Sequence, residues 1–388
     1  MGATVRAAAA VLVAVVLAMI VNVPSGRAAG CATSTQVYQD APSWAQKLVD
    51  PSRIWLLTKG SGQTVAIVGA GVDGGNPQFG PAQVLASNDL VPRPGGVADC
   101  DGRGTFAAGI IGGQPNDQTT FVGMAPGVRL LPLRYTAGAG DTNPGDPGRL
   151  ATAITQSVHA GAGTILIDVP TTVDSPALDD AVSAALAAGA VIVSPAVGTQ
   201  AGVVSYPTAL PGVLGVGAAD ENGAAVQTES GDYIDIAAPG ADLVSTSAGG
   251  HGHSWPIKDP AAAAAYVAAT VALLRSYRPT ATPAQIVNRL TLTASRAAGG
   301  GRDPRLGWGI VDAYAAVSSQ LPLTAPGPDA SPAAAAVPNL VPAAAPAQPP
   351  LNALVGGLAL GGVGLAALAG LITVTIRRGR ERGWKVSP

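Results

Sequence analysis

Short apolar runs alternate with stretches of helical period through the middle of the chain. Thr64-Val65-Ala66-Ile67-Val68 is the first run and ends at Gly69-Ala70-Gly71. Ile165-Leu166-Ile167, Val191-Ile192-Val193, Val213-Leu214-Gly215-Val216 and Tyr233-Ile234-Asp235-Ile236 follow, and residues 128–135 read as a further strand. Residues 149–160 and 176–188 have helical character and lie between these runs. Continuous apolar strands separated by helices predict a mainly parallel sheet covered on both faces, an α/β fold. In such sheets functional groups gather at the carboxyl ends of the strands. Residues 259–277 predict another helix, with Asp259 as N-cap, Pro260 at the first helical position and a run of alanines implying close packing. Thr282 and Gln285 have capping-box spacing, with Pro283 between them, and predict a helix from 282 to about 296.

The two ends have a different pattern. Arg6 precedes an uncharged apolar run over 7–23, which Pro24-Ser25 breaks before the small residues leading to Ala28. This predicts a signal peptide over 1–28. An uncleaved anchor and a lipobox at Ala28-Ala29-Gly30-Cys31 are the alternatives. Residues 354–376 carry no charge. As a helix they would span about 34 Å, enough for a hydrocarbon core of about 30 Å. Arg377, Arg378, Arg380, Arg382 and Lys385 follow, which predicts a cytoplasmic tail over 377–388 and an ectodomain outside a cell membrane crossed once. The Pro/Ala-rich stretch 321–353 reads as a stiff tether, leaving 29–320 as the globular domain.

Composition narrows the classes. Hydrophobic residues make up 47% and charged residues 12%, which excludes disorder over the whole chain. Lys and Arg number 22 against 24 Asp and Glu, so there is no basic excess to bind nucleic acid. Two cysteines exclude a disulfide scaffold and a zinc site built from cysteine. Cys31 and Cys100 are an even pair in a domain read as exported, where disulfides persist, so a bridge is expected. Two unrelated thiols, or lipidation at Cys31, are the alternatives. No phosphate-binding loop is present and no cofactor is implied.

Three segments together resemble the subtilisin-like serine proteases. Residues 62–73 are similar to the family strand that ends in Asp-Thr-Gly, and residues 99–111 to its Asp-Gly-His-Gly-Thr helix start. Residues 261–268 are similar to the helix opened by Gly-Thr-Ser. Pro42-Ser43-Trp44, the run 50–55, the cysteine placement and the tail anchor narrow the resemblance to the mycosins, membrane-anchored subtilases of type VII secretion. The resemblance implies a three-layer subtilisin-like fold and a site made of an Asp, a His, a Ser and an oxyanion-binding Asn.

At those positions stand Gly69, Arg103, Ala261 and Thr199. Glycine orients nothing, arginine stays protonated and cannot act as a base, and alanine has no nucleophile. Of the remaining histidines, His159 reads as a surface or core residue. His251 and His253, beside Ser254, read as a polar Gly-rich turn, with a makeshift dyad or a metal site as the alternative. Arg103 is expected to pair internally with Asp101 or Asp99, or else to hold a ligand carboxylate. Pro170 removes a backbone donor from the segment Asp168-Val169-Pro170, where the family pairs with substrate. The chain is therefore expected not to be an enzyme but a non-proteolytic structural subunit of a type VII secretion membrane complex. Its expected partners are the membrane components of that complex and secreted proteins. A peptide-binding module, a hydrolase with a non-standard site and a decayed copy are the alternatives.

Overall fold

Seven parallel strands form the central sheet of the computed structural model, which describes residues 31, 34–86, 88–91, 99–137, 145–198, 202–296, 300–323 and 377–378. They are β1 (Thr64–Gly69), β2 (Asn88–Asp89), β3 (Arg129–Arg134), β4 (Thr164–Ile167), β5 (Val191–Pro195), β6 (Leu214–Ala219) and β7 (Ile234–Pro239). Their spatial order is β2-β3-β1-β4-β5-β6-β7. A separate antiparallel ribbon joins β8 (Leu243–Thr246) to β9 (His253–Ile257).

The helices are α1 (Trp44–Val49), α2 (Pro51–Trp55), α3 (Arg103–Gly112), α4 (Pro147–His159), α5 (Pro176–Ala187), α6 (Ala262–Tyr277), α7 (Pro283–Thr293) and α8 (Ala313–Ser318). Alternation along each strand divides the core in two. Val65, Ile67, Leu166, Val193 and Val216 face α3 and α6. Ala66, Val68, Ile165, Ile167 and Ile192 face α4 and α5. Both faces are apolar, which is why these strands lack the alternating polar positions of a half-exposed sheet. From β1 the chain runs through α3 to β3 on one side, then returns through α4 to β4 on the other. Right-handed crossovers in opposite directions put α3 and α4 on opposite faces. β1 and β4 therefore flank the point where strand order reverses, and the crevice beyond their carboxyl ends is where such folds place chemistry.

Helix α6 is buried along its length from Ala262 to Leu274. Alanine at 262–265, 268 and 269 lets it lie close against the sheet and α3. It starts at Ala262 and not at Pro260, which corrects the expected cap. The Ala262, Ala263 and Ala264 N–H groups donate to the carbonyls of Asp259, Pro260 and Ala261, three residues back. This tighter turn precedes the helix, and the Asp259 carboxylate accepts from the Ala261 N–H at 3.0 Å. The capping box of α7 is present: Thr282 Oγ1 accepts from the Gln285 N–H, and Gln285 Oε1 from the Thr282 N–H. That helix ends at Thr293, short of the expected 296, because Ser295 exchanges backbone hydrogen bonds with Ile310.

Cys31 and Cys100 are disulfide-bonded, which removes the free-thiol and lipidated alternatives for this fold. The segment before α1 runs along the ribbon. Ser34 N–H donates to Ser247 Oγ, His253 N–H to the Gln36 carbonyl, and Thr119 Oγ1 to the Tyr38 carbonyl. Trp44 and Trp55 donate their indole N–H groups to the carbonyls of Ala241 and Met124. The chain divides into two units, 1–330 and 331–388. In the second, only Arg377 and Arg378 are described. The expected signal peptide 1–28, nearly all of the tether and the expected span 354–376 lie outside the described residues. No helix among the described residues is long and apolar enough to cross a membrane.

Candidate active site

Gly69, Arg103 and Ala261 each stand at the end of a different element, and Asp259 joins two of them, accepting from the Ala261 N–H at 3.0 Å and lying 3.6 Å from Arg103 Nη1. Gly69 closes β1, Arg103 opens α3, and Ala261 ends the turn before α6. Thr199, the fourth position, lies outside the described residues. Gly102 turns the chain in the left-handed region just before α3, and the Arg103 N–H donates to Asp101 Oδ1 at 3.0 Å.

The side chain of Arg103 points at a partner the sequence reading did not name. Its Nη1 lies 3.6 Å from Asp259 Oδ1, with the two side chains 28% and 15% exposed. The expected pairing with Asp101 or Asp99 is corrected to this cross-fold contact. Asp99 is occupied elsewhere. It accepts from the Thr105 N–H at 2.7 Å, from the Thr105 hydroxyl at 2.6 Å and from the Gly102 N–H at 3.1 Å, organising the start of α3. Burial pushes its carboxyl up to about 7 despite these donors. Burial works against the Arg103 charge, but the combined field of Asp259, Asp168, Asp101 and Asp99 outweighs it and raises the guanidinium above its ordinary value. Arg103 is a fixed cation at any working pH.

Asp168, which the sequence places only in the segment where the family pairs with substrate, is itself a site residue. It follows the last residue of β4 and is completely buried. Among the described residues no hydrogen-bond donor reaches either of its side-chain oxygens. Burial pushes its carboxyl well above the usual range, and Arg103 pulls it back. An aspartate at the end of an apolar strand was the signal available, since a strand buried on both faces rarely carries one.

The histidine-bearing turn is structural. His253 is buried beside Phe121; its Nδ1 accepts from the Tyr38 N–H at 3.1 Å, and its Nε2 is 2.5 Å from Gln78 Oε1. Both ring nitrogens are thus engaged, Nδ1 as acceptor and Nε2 as donor. This corrects the makeshift dyad and the metal site. No cluster of three metal-ligating side chains occurs among the described residues. His251 and His159 stand apart from the site, exposed in the turn and at the end of α4.

Residues 60–309 match the model of the subtilase family. Mycosin-1 of Mycobacterium tuberculosis is 32% identical over 345 residues, covering 75% of this chain and 76% of that protein. The chain belongs to the mycosins of the subtilase family. Mycosin-4 of the same organism is 35% identical over 335 residues, covering 75% of this chain and 72% of the relative. Among solved structures, MycP1 from the ESX-1 type VII secretion system is 32% identical with a TM-score of 0.65, over 76% of this chain and 91% of that one. A chain of the periplasmic assembly of the ESX-5 inner membrane complex is 25% identical with a TM-score of 0.68, over 83% and 94%. The subtilisin-like fold expected from the sequence is thereby established.

The expectation that the chain is not an enzyme is corrected by these matches. Its family is a peptidase family, and solved relatives are described as proteases, among them MycP3 and the serine protease MycP1. They point this mycosin toward protease activity. Gly69, Arg103 and Ala261 hold no hydroxyl, thiol or neutral imidazole, so none of the three can serve as nucleophile or general base.

Proposed function

We propose that this mycosin is an extracytoplasmic structural subunit of a type VII secretion membrane complex. In this reading the apolar span 354–376 holds it at the membrane and residues 377–388 face the cytoplasm. The observation that carries the proposal is the likeness, at TM-score 0.68 over 83% of this chain, to a chain of the periplasmic assembly of the ESX-5 inner membrane complex. A composite structure of the intact ESX-5 inner membrane complex gives the same picture, at TM-score 0.65 over 89% of this chain. The N-terminal residues are tied to the domain by the Trp44 and Trp55 indole hydrogen bonds and by the disulfide, which fixes them in place for docking. The membrane components of the complex are the proposed partners, with secreted proteins as passing ones.

The test is to solubilise membranes holding the tagged full chain under mild detergent and purify it. The proposal expects a large membrane complex to come with it. A chain recovered only as a free monomer from cells that assemble the complex would count decisively against it.

Peptide hydrolysis is the second reading, favoured by the family. Treating the full chain with a fluorophosphonate probe tests it. Labelling identifies the nucleophile by its peptide; an unlabelled chain removes serine-based hydrolysis.

A further inference from the structure

Gly69 is not among the glycines with a left-handed backbone, so its conformation does not require glycine. Its neighbour does. A Cβ on residue 69 would come to 3.0 Å from Asp168 Cβ and 3.1 Å from Asp168 Oδ2. β1 and β4 are parallel neighbours with Val68 opposite Ile167, and the Asp168 N–H continues the ladder to the Val68 carbonyl at 2.9 Å. Ile67 and Leu166 face α3 and α6, so residues 69 and 168, two and two positions on, share that face. It is the face on which Arg103 stands.

We propose that Asp168 is the carboxyl that has taken over the place of the side chain absent at residue 69, and that with Asp259 it positions Arg103 in the crevice. A subtilase site needs one acid beside the residue at the start of α3. Here that acid comes from β4 in place of β1, and a glycine on β1 makes the room. Asp259 meets Arg103 at 3.6 Å from the turn before α6, while the charge of Asp168 acts on it from the sheet without a direct hydrogen bond. Asp168 is a positioning residue, acting through Arg103. The inference rests on the match of residues 69, 103 and 261 to the family site and not on membership of a secretion complex, so the two stand or fall separately.

The titratable and charged groups whose fields couple to Asp168 are Arg103, Asp101 and Asp99 from α3 and the turn before it, Asp259 from the turn before α6, and Tyr135 after β3. Their charges make the exchange readable in full-length protein in detergent. Gly69→Asp alone forces two carboxyls into one space and lowers Tm by roughly 5 °C or more. Asp168→Gly alone leaves two glycines side by side with an unfilled space between β1 and β4 and also lowers it. The double exchange Gly69→Asp/Asp168→Gly returns the acid to β1 and recovers to within about 2 °C of the parent. An unchanged Tm for Gly69→Asp, or a double exchange no better than its worse single variant, overturns the proposal.

Asp168→Asn provides a second readout that packing alone does not move. Because burial raises the folded acid above its unfolded value, the folded state holds the extra proton and loses stability as pH rises through that window. Asp168→Asn flattens this fall. In an Arg103→Met background the fall extends to higher pH, since the cation that restrains the acid is gone. Superimposable pH profiles for the parent and Asp168→Asn, or a profile that Arg103→Met leaves in place, overturn the pairing with Arg103.

Discussion

Arg103 Nη1 lies 3.6 Å from Asp259 Oδ1, joining the start of α3 to the turn before α6. The contact takes its strength from position more than from distance. Both side chains are mostly withdrawn from water, and the completely buried Asp168 has no other nearby cation among the groups that shift it. Arg103→Ala leaves both acids without compensation. The expected cost is about 1–2 kcal/mol, between the small value of an exposed pair and the larger one of a buried pair. Denaturant unfolding of the full chain measures it, and an unchanged midpoint would place the pair among inert surface contacts.

The Cys31–Cys100 bridge closes a loop of 69 residues. Chain entropy assigns such a closure about 4 kcal/mol. Cys31→Ser/Cys100→Ser is expected to lower the unfolding midpoint markedly and to expose the segment before α1 to limited proteolysis. If the double variant unfolds with the parent, the segment is held without the bridge, by hydrogen bonds such as those from the Ser34 N–H to Ser247 Oγ and from the Tyr38 N–H to His253 Nδ1.

Acid should loosen the same segment through His253. Burial lowers its imidazole to about 4, whereas an unfolded histidine titrates near 6.5. Between those values the unfolded chain holds more protons, so stability from this residue is complete above about 6.5 and is lost as pH falls toward 4. Protonation would place an N–H on Nδ1, which now accepts from the Tyr38 N–H. Hydrogen exchange at Tyr38 should therefore accelerate as pH falls through this window, after correction for the intrinsic rate. Asp99 works in the opposite sense, since its folded value is raised to about 7 and its burial weighs on the fold as pH rises toward that value. Comparing the parent with His253→Gln isolates the histidine, and equal acid slopes in the two would remove it as the cause.

Gly109 lies where α3 crosses the ribbon. A Cβ there would strike Ser245 Oγ and Thr246 Oγ1, and these hydroxyls already donate to the carbonyls of Phe106 and Thr105. Gly109→Ala gains helix propensity on α3, but overpacking is expected to cost about 1–3 kcal/mol net. A calorimetric Tm that rises with this substitution would show that the ribbon yields at no cost.

Much of this protein was legible along the chain. The strands at 64–69, 164–167 and 191–195, and the helices at 147–159 and 176–187, stand close to where apolar runs and turn residues placed them. Strand and helix period, proline at first helical positions and a capping box are local properties, satisfied within a few residues. The family was likewise readable, because its motifs are short and fall in order at the ends of β1, α3 and α6. Tertiary structure alone decided which acid Arg103 meets. Sequence proximity favoured Asp101 and Asp99, but these are taken up by the backbone and hydroxyl donors at the start of α3, leaving the guanidinium to reach Asp259. It also decided that Gly69 is small because of Asp168, a residue distant in sequence and one strand away in space. A parallel sheet brings such residues side by side only after its crossovers close, and no period or spacing along the chain records that meeting.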